Sequence, residues 1–466
     1  MCRRQASWLV AAVLLVFASA GQAQQSVKEA APGETPAELA ARIDRLIQQL
    51  DDETFAVREK AQAALAEIGE PALDQLTAAS KSSSAERSQR AARVLAGLRQ
   101  AGLGLRYLTT VQSPGLQGAV TVALSPDGKF AYVPGFQAGA INAFRRDVAS
   151  GALEPLPTLA DPEQLGGVIT VRLSPVSNLA VAAAYSSKSI ALLKRNATTG
   201  LLSIESVRKN DPAGGLTLDW PINANFSTDG KFVYGLDDRA ATVVVFRVED
   251  GPRLGLVEIF AGAEKCFAGA RGITAHPDGK TLYVSSRRPG TLSVLDRDPA
   301  SGKLALRQVL RDGQDGVTGL AGTNGTCVSR DGRFVYAISG RFEGANAIGV
   351  YRVGEDGKLN LLQEFLNDAS DLTNFTGGNA LTISPDGLHL YATGTRSCSL
   401  VSFKRDPVTG KLTHFATFQN EATGLGTGLG ASGVEVSLDG RFLYLALEDG
   451  SAISVFERIL PKRAKP

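Results

Sequence analysis

A cassette that returns seven times constrains this chain more than any other feature of it. The anchor residues are Ser125, Ser174, Ser227, His276, Ser329, Ser384 and Ser437, spaced 49 to 55 residues apart. In six copies an Asp-Gly pair follows two residues later, at Asp127-Gly128, Asp229-Gly230, Asp278-Gly279, Asp331-Gly332, Asp386-Gly387 and Asp439-Gly440. Such a pair gives the backbone the freedom a tight hairpin needs. The second copy alone departs, with Val176-Ser177-Asn178. An aromatic then marks a second strand at Tyr132, Tyr234, Tyr283, Tyr336, Tyr391 and Tyr444. In the first copy, Val122–Asp147 reads as strand, turn, strand, loop, strand, and Leu153–Leu156 adds a fourth. Four strands in about fifty residues, repeated, predict an all-β seven-bladed β-propeller.

Closure of the ring is also foreshadowed. The last copy ends after its third strand, Ile453–Arg458, leaving only a tail, 459–466. Ahead of the first copy lies an orphan strand-like run, Leu105–Val111. This run is expected to complete blade 7 as its outer strand, so that no sheet edge stays open. The propeller then occupies residues 105–458.

Residues 1–23 carry Arg3 and Arg4, an apolar run Trp8–Ala20 and a small-residue site ending at Ala23. This pattern predicts a signal peptide cleaved after Ala23 and a secreted or periplasmic protein; the run is too short for a membrane span. The arginine pair matches a twin-arginine signal poorly. Without Arg3 and Arg4, 47 basic residues face 47 acidic ones, so the formal charge falls from +2 to zero. A neutral chain has no overall field to draw in nucleic acid or anionic membrane. Three cysteines remain, Cys266, Cys327 and Cys398, an odd number that leaves room for one disulfide. Cys327, on an inner strand, is expected to be a small buried apolar residue.

Between a polar linker, 24–34, and the propeller, residues 35–100 read as a small α-helical domain. Thr35-Pro36-Ala37-Glu38 is a capping box with proline at the first helical position. Leu39, Ile43, Leu46, Ile47 and Leu50 line one helical face; Val57, Ala61, Leu65 and Ile68 line a second helix that stops at Gly69. Glu70-Pro71 opens a third, and Ser83–Glu86 is read as the cap of a fourth. The run resembles a HEAT-like repeat pair. A plain four-helix cap fits equally well.

The cassette S-P-D-G-K-x-x-Y-V…F-R-R-D-x-x-x-G-x-L, as it stands in Ser125–Leu153 and again in Ser384–Leu412, resembles the seven-bladed β-propeller lactonase family, of the 6-phosphogluconolactonase type. That family often carries G-P-R-H-x-x-F-H-P-D-G followed by Y-V-x-N-E. Here the fourth copy reads Gly269-Ala270-Arg271-Gly272-Ile273-Thr274-Ala275-His276-Pro277-Asp278-Gly279, then Tyr283-Val284-Ser285-Ser286-Arg287. The resemblance implies roles for Arg271 and His276. It also implies that the family's first His and its Glu are replaced by Gly272 and Arg287.

Other chemistry is sparse. His276 takes a turn-opening position, His389 one held by Phe130, Phe232, Phe334 and Phe442 in other blades, and His414 an outer strand where it is expected to be solvated. No two histidines share ligand spacing, and no P-loop, nucleophile elbow or calcium loop is present, so no metal or cofactor is expected. Two residues before the anchors, Arg172, Asn225 and Glu435 are costly to bury unpaired and should pair or reach the central channel. The loops on one face place Trp220, Lys188, Arg239, Arg271, Arg287, Arg288, Arg341 and Arg396, with Asp237, Asp238, Glu343, Glu448 and Asp449, around a mixed-charge, arginine-leaning mouth. These observations predict a monomeric exported binding or scaffold protein presenting that mouth to a small anionic ligand or protein partner. The alternative is a lactonase-type hydrolase with a rearranged acid/base site near Arg271.

Overall fold

A computed structural model describes residues 35–100, 104–262, 266–368, 372–419, 425 and 430–459. The expected signal peptide and linker lie outside the described residues. Seven antiparallel sheets form the propeller. Blade 4 shows the plan: inner strand Ala270–Ala275, then Thr281–Ser286, Thr291–Arg297 and the outer strand Leu304–Arg311, each paired with the next. Blade 7 is closed by the run ahead of the first copy. Leu105–Gln112 lies antiparallel to Ala452–Arg458, with Leu105 opposite Arg458 and Gln112 opposite Ala452.

The second strands are buried along their whole length, Leu179 at the start of that of blade 2 excepted, because each is sandwiched between neighbouring blades. Phe130, Phe232, Phe334 and Phe442 start four of them and are essentially inaccessible. Each such ring contributes about 1.5–3 kcal/mol of hydrophobic stabilisation.

A polar clasp ties the blades together. In blade 1, Arg146 ends the third strand with its side chain 1% exposed. Its Nε donates to Tyr444 Oη at 2.6 Å and its Nη2 to Asp439 at 2.9 Å, both in blade 7, while Nη1 donates to Gly128 O of its own turn at 2.9 Å. Arg297 grips Tyr234 and Asp229 of blade 3 in the same way, and Arg458 grips Tyr391 and Asp386 of blade 6. Arg195 reaches Asp127, and Arg405 reaches Tyr336. In four blades the following turn ends in a glycine folded over the preceding blade's phenylalanine. Gly302, at φ +79°, packs on Phe232 so closely that a Cβ would collide with the ring.

Valine replaces the arginine at two junctions, as Val248 in blade 3 and Val353 in blade 5; their amides make the same bond that Arg146 N makes. Blade 2, which blade 3 faces, has no turn aspartate and carries Val181 in the tyrosine's register, so there is nothing to clasp. Blade 4 keeps both Asp278 and Tyr283.

The helices are α1 (Pro36–Gln48), α2 (Phe55–Ile68), α3 (Leu73–Ala79) and α4 (Ala85–Gln100). The Thr35–Glu38 capping box forms, and Gly69 ends α2 at φ +72°. The cap of α4 sits one residue later than expected: Ser84 Oγ, not Ser83, accepts from Arg87 N at 3.3 Å. Ile43, Leu65, Leu73, Leu76 and Leu95 build a core that is completed by Phe415 from blade 6. Asp74 adds bonds to Lys404 Nζ and Thr413 Oγ1, both at 3.0 Å. The helices therefore lean on the outer strand of blade 6. His414 on that strand is not solvated; it is buried against Phe403 and bonds Thr417 Oγ1 at 3.0 Å. His389 packs on Tyr391 and meets Arg458 Nη2 at 3.0 Å. All three cysteines are free, so the disulfide left open does not form, and Cys327 is partly rather than fully buried. No described helix is long and apolar enough to cross a membrane.

Candidate functional site: the channel mouth

Six inner strands shift register near their start, which turns consecutive residues toward the mouth of the central channel. Just inside it stand small side chains, Thr121, Thr170, Asn223, Gly272, Gly325 and Ala380. They leave a cavity of about 340 Å³, bounded further by Phe136, Arg172, Tyr185, Arg271, Arg341, Phe342 and Glu448.

The charges beside it are organised on two hubs. Asp238, directly after the second strand of blade 3, is completely buried. Arg271 and Arg288 approach its carboxylate at 2.9 and 3.0 Å, and Arg287 at 3.5 Å. The second hub is the Phe342 ring, with the guanidinium carbons of Arg287, Arg271 and Arg341 at 4.7, 4.9 and 5.1 Å from its centre. Arg341 Nη2 donates to Glu448 Oε2 at 2.7 Å and its Nη1 to Ser432 Oγ at 3.1 Å. Four guanidinium groups thus meet two carboxylates, and the mouth keeps a positive excess. Burial pushes the pKa of Arg271 down to about 10, against the pull of Asp238 and with the push of its three arginine neighbours. It stays charged at neutral pH, held ready for an anionic or polarised oxygen.

Several polar atoms around the cavity have no hydrogen-bond partner among the described residues: Thr170 Oγ1, Asn223 Oδ1, Asn324 Oδ1 and Arg271 Nε. An orphaned buried polar atom costs about 1–3 kcal/mol, so such a concentration points to a binding site rather than to packing. Further along the channel, Glu435 and Arg172 influence one another. Burial raises the Glu435 pKa to about 7 although Arg172 opposes it, and burial lowers Arg172 although Glu435 supports its charge.

Of the residues expected at the mouth, Arg172, Arg271 and Arg341 line the cavity. Arg287 and Arg288 stand behind it on the hubs. Arg396 donates to Phe342 O and so fixes that loop. Trp220 lies one side chain away, tilted against Tyr185 at 5.1 Å with Arg239 over its ring. Its backbone is pinned by Asp237, whose carboxylate accepts from Trp220 N and Asp219 N. Asn225 bonds Ile273 O across to blade 4 and, like Glu435, is not among the lining residues.

His276 belongs elsewhere. It follows the far end of the strand that carries Arg271, where its Nε2 meets Gly332 O at 2.9 Å and its Nδ1 accepts from Asp278 N. It ties blade 4 to blade 5 and does not reach the mouth. Gly272 is equally instructive: its N–H donates to Ser285 Oγ, and a Cβ there would lie 2.6 Å from that oxygen. A side chain at the position where the resemblance implies a histidine would have to displace Ser285 Oγ.

Sequence reasoning placed Asp238 on this face without its hub role, and it missed Phe342 and the small and amide side chains that line the cavity. Four residues before the anchors stand Thr121, Thr170, Asn223, Gly272, Gly325, Ala380 and Gly433, so the small lining was detectable in the repeat, with Asn324 and Asn379 one residue earlier in their copies. Among the described residues no cluster of His, Cys, Asp or Glu could hold a metal ion.

An all-β ring of seven blades with an arginine-bearing pocket at one channel mouth defines a class, and comparison with known proteins gives it a family. The family described as Lactonase, 7-bladed beta-propeller, matches residues 106–425, and the chain belongs to it. A 6-phosphogluconolactonase of Bacillus subtilis is 26% identical over 191 residues, 41% of this chain and 51% of that protein, so the chain spans about half of its length. A putative 6-phosphogluconolactonase of Bacteroides fragilis superposes with a TM-score of 0.56 at 19% identity, covering 73% of this chain and 90% of that one. The periplasmic gluconolactonase of Pseudomonas aeruginosa does so with a TM-score of 0.53 at 21% identity, covering 64% and 85%. At these identities the structural likeness speaks for the fold.

Proposed function

We propose that this chain opens a sugar lactone by hydrolysis at the channel mouth. The observation that carries the reading is Arg271: it stands at the arginine of the family signature and lines the cavity of about 340 Å³. Its membership of a lactonase family favours this over a pure binding or scaffold role. Relatives named for gluconolactone and its 6-phosphate support an aldonic acid lactone as substrate class.

In this reading Arg271 polarises the lactone carbonyl and stabilises the oxyanion that forms when water adds. Water activation cannot fall to Gly272 or Arg287. Asp238 is sealed behind its arginines, which leaves Glu448, the carboxylate that lines the cavity. Arg341 and Ser432 hold it through Oε2. A carboxylate so placed takes the proton from water as the carbonyl is attacked, and returns it to the ring oxygen as the endocyclic C–O bond breaks, which frees the hydroxyl and regenerates the carboxylate. The apolar N-terminal run supports export as part of the same proposal.

The test is the opening rate of glucono-1,5-lactone and its 6-phosphate above the spontaneous rate. Arg271→Ala should lower kcat/KM by about 100-fold or more, the loss typical of an oxyanion donor. Glu448→Gln should lower kcat while leaving KM nearly unchanged. A wild-type rate equal to the spontaneous one for both lactones overturns the proposal.

A further inference from the structure

The junction between blades 4 and 5 breaks the clasp on one side only. Blade 4 presents the usual Asp278 and Tyr283. Blade 5 answers with Val353 in place of an arginine, and with a turn, Gly354–Gly357, one residue shorter than the Asp298–Gly302 turn of blade 4. Thr281 stands where four other blades have a phenylalanine. The three changes together open a cleft of about 330 Å³ whose lining includes Asp278, Tyr283, Val353, Glu355 and Asp356.

Tyr283 is completely buried, yet its Oη has no hydrogen-bond partner among the described residues. The matching hydroxyls of Tyr132, Tyr234, Tyr336 and Tyr444 all donate to a turn glycine carbonyl of the next blade, and three of them also accept from an arginine. Asp278 lacks the arginine that Asp229, Asp386 and Asp439 hold; its carboxylate accepts from Lys280 N, Thr281 N and Thr281 Oγ1, and faces His276. The cations lining the cleft are Lys280 and Arg307, and Arg307 is already engaged by Asp296 and Gly357 O.

We propose that this cleft binds an alkylguanidinium group, which takes the place that a clasp arginine fills at five other junctions. The bound cation donates to Tyr283 Oη and faces the Asp278 carboxylate, with Glu355 and Asp356 adding negative charge at the entrance. It could arrive as a small free molecule or as an arginine side chain of a partner. The site lies at the far end of the inner strand from Arg271 and is independent of the lactone-opening reading.

Binding is measured calorimetrically on the full chain with two probes, ethylguanidinium and the tripeptide amide Gly-Arg-Gly. Saturable binding of ethylguanidinium is expected; at least tenfold tighter binding of the tripeptide assigns the site to a partner's arginine. Val353→Arg should fill the cleft from within and weaken either probe at least tenfold. Tyr283→Phe should weaken it several-fold, with lactone opening unchanged in both variants. Should Val353→Arg not fold, Asp278→Asn should bring the same loss. The proposal is overturned if neither probe saturates the wild type, or if the substitutions leave binding undiminished.

Discussion

Replacing Arg146 by methionine tests whether the clasps, and not apolar packing alone, hold the ring shut. Arg146 joins blade 1 to blade 7, the one junction whose sheet is assembled from both ends of the propeller. Methionine keeps the stem that packs near Phe442 and removes three charge-assisted bonds. Not all of their strength is lost. Asp439 is 27% exposed and regains water, and it keeps Ser437 Oγ and Arg441 N; Tyr444 Oη still donates to Gly151 O. Gly128 O and the second lone pair of Tyr444 are left buried. At about 1.5–3 kcal/mol per charged bond, less what rehydration returns, the loss is about 3–5 kcal/mol. For a propeller of about 350 residues the unfolding entropy is about 0.7 kcal/mol/K, so the midpoint should fall by about 4–7 °C. Arg145→Met is the control, because Arg145 is adjacent, 52% exposed and paired only loosely with Glu154 at 3.8 Å. Calorimetry at pH 7 reads both variants, and it should move Arg145→Met by less than 1 °C. Equal shifts in the two would refute the clasp argument. The clasp also has a pH signature. Burial raises the Asp439 pKa, but Ser437, Arg146 and the Arg441 amide outweigh it and the net is a lowered value. Its contribution is therefore present above the ordinary 3.8 and lost as pH falls through the lower folded value.

Glu435→Gln should stabilise the protein, and increasingly so as pH rises. Below about 4.5 the folded and unfolded chains both keep the proton; between there and about 7 only the folded chain does, so wild-type stability declines across that window and the variant escapes the decline. Melting curves from pH 4 to 8 check this, and a constant difference would count against it. Gly302→Ala should cost more than Gly251→Ala. Both positions have a left-handed φ, +79° and +77°, but only at Gly302 does a Cβ meet a ring, that of Phe232. Denaturant midpoints should separate the two by about 1–3 kcal/mol, the usual cost of overpacking.

The ring was legible because its signals are local. Each Asp-Gly turn and each following aromatic fixes a hairpin within a dozen residues, and repetition makes the period visible. Even the borrowed strand was legible, since a propeller that ends on a third strand must find its fourth elsewhere. The clasp was written in the same cassette, in the arginine that ends five third strands, but its partners lie in the preceding blade and no spacing announces them. At the mouth, Arg271 and Arg341 could be placed because the start of an inner strand and the loop after a second strand share one face. The hub roles of Asp238 and Phe342 could not, because they arise from convergence of blades 3, 4 and 5 in space. His414 went astray for a related reason: an outer strand is normally wet, but this one also carries the docked helices on Phe415, and His414 itself packs on Phe403 of the neighbouring strand.

The burial of Asp238 decides how the mouth can work. Its carboxylate is fully buried and enclosed by Arg271, Arg287 and Arg288, so it faces guanidinium groups and not the cavity. Its contribution is to fix where the guanidinium groups stand. Phe342 completes this by stacking three of them, so their positions are set before any ligand arrives. Because the counter-charge is smaller than the charge it gathers, the excess is presented to the cavity, and in the proposed reaction the oxygen that becomes negative would meet it without rearrangement. Asp238→Asn should therefore preserve the fold of the blades while releasing Arg271 from its setting. Its mark would be a fall in kcat together with a pH profile unchanged in shape, since in the proposed reaction Glu448 and not Asp238 takes the proton. A profile that lost its acid limb would instead make Asp238 the base and reverse the roles given to it and to Glu448.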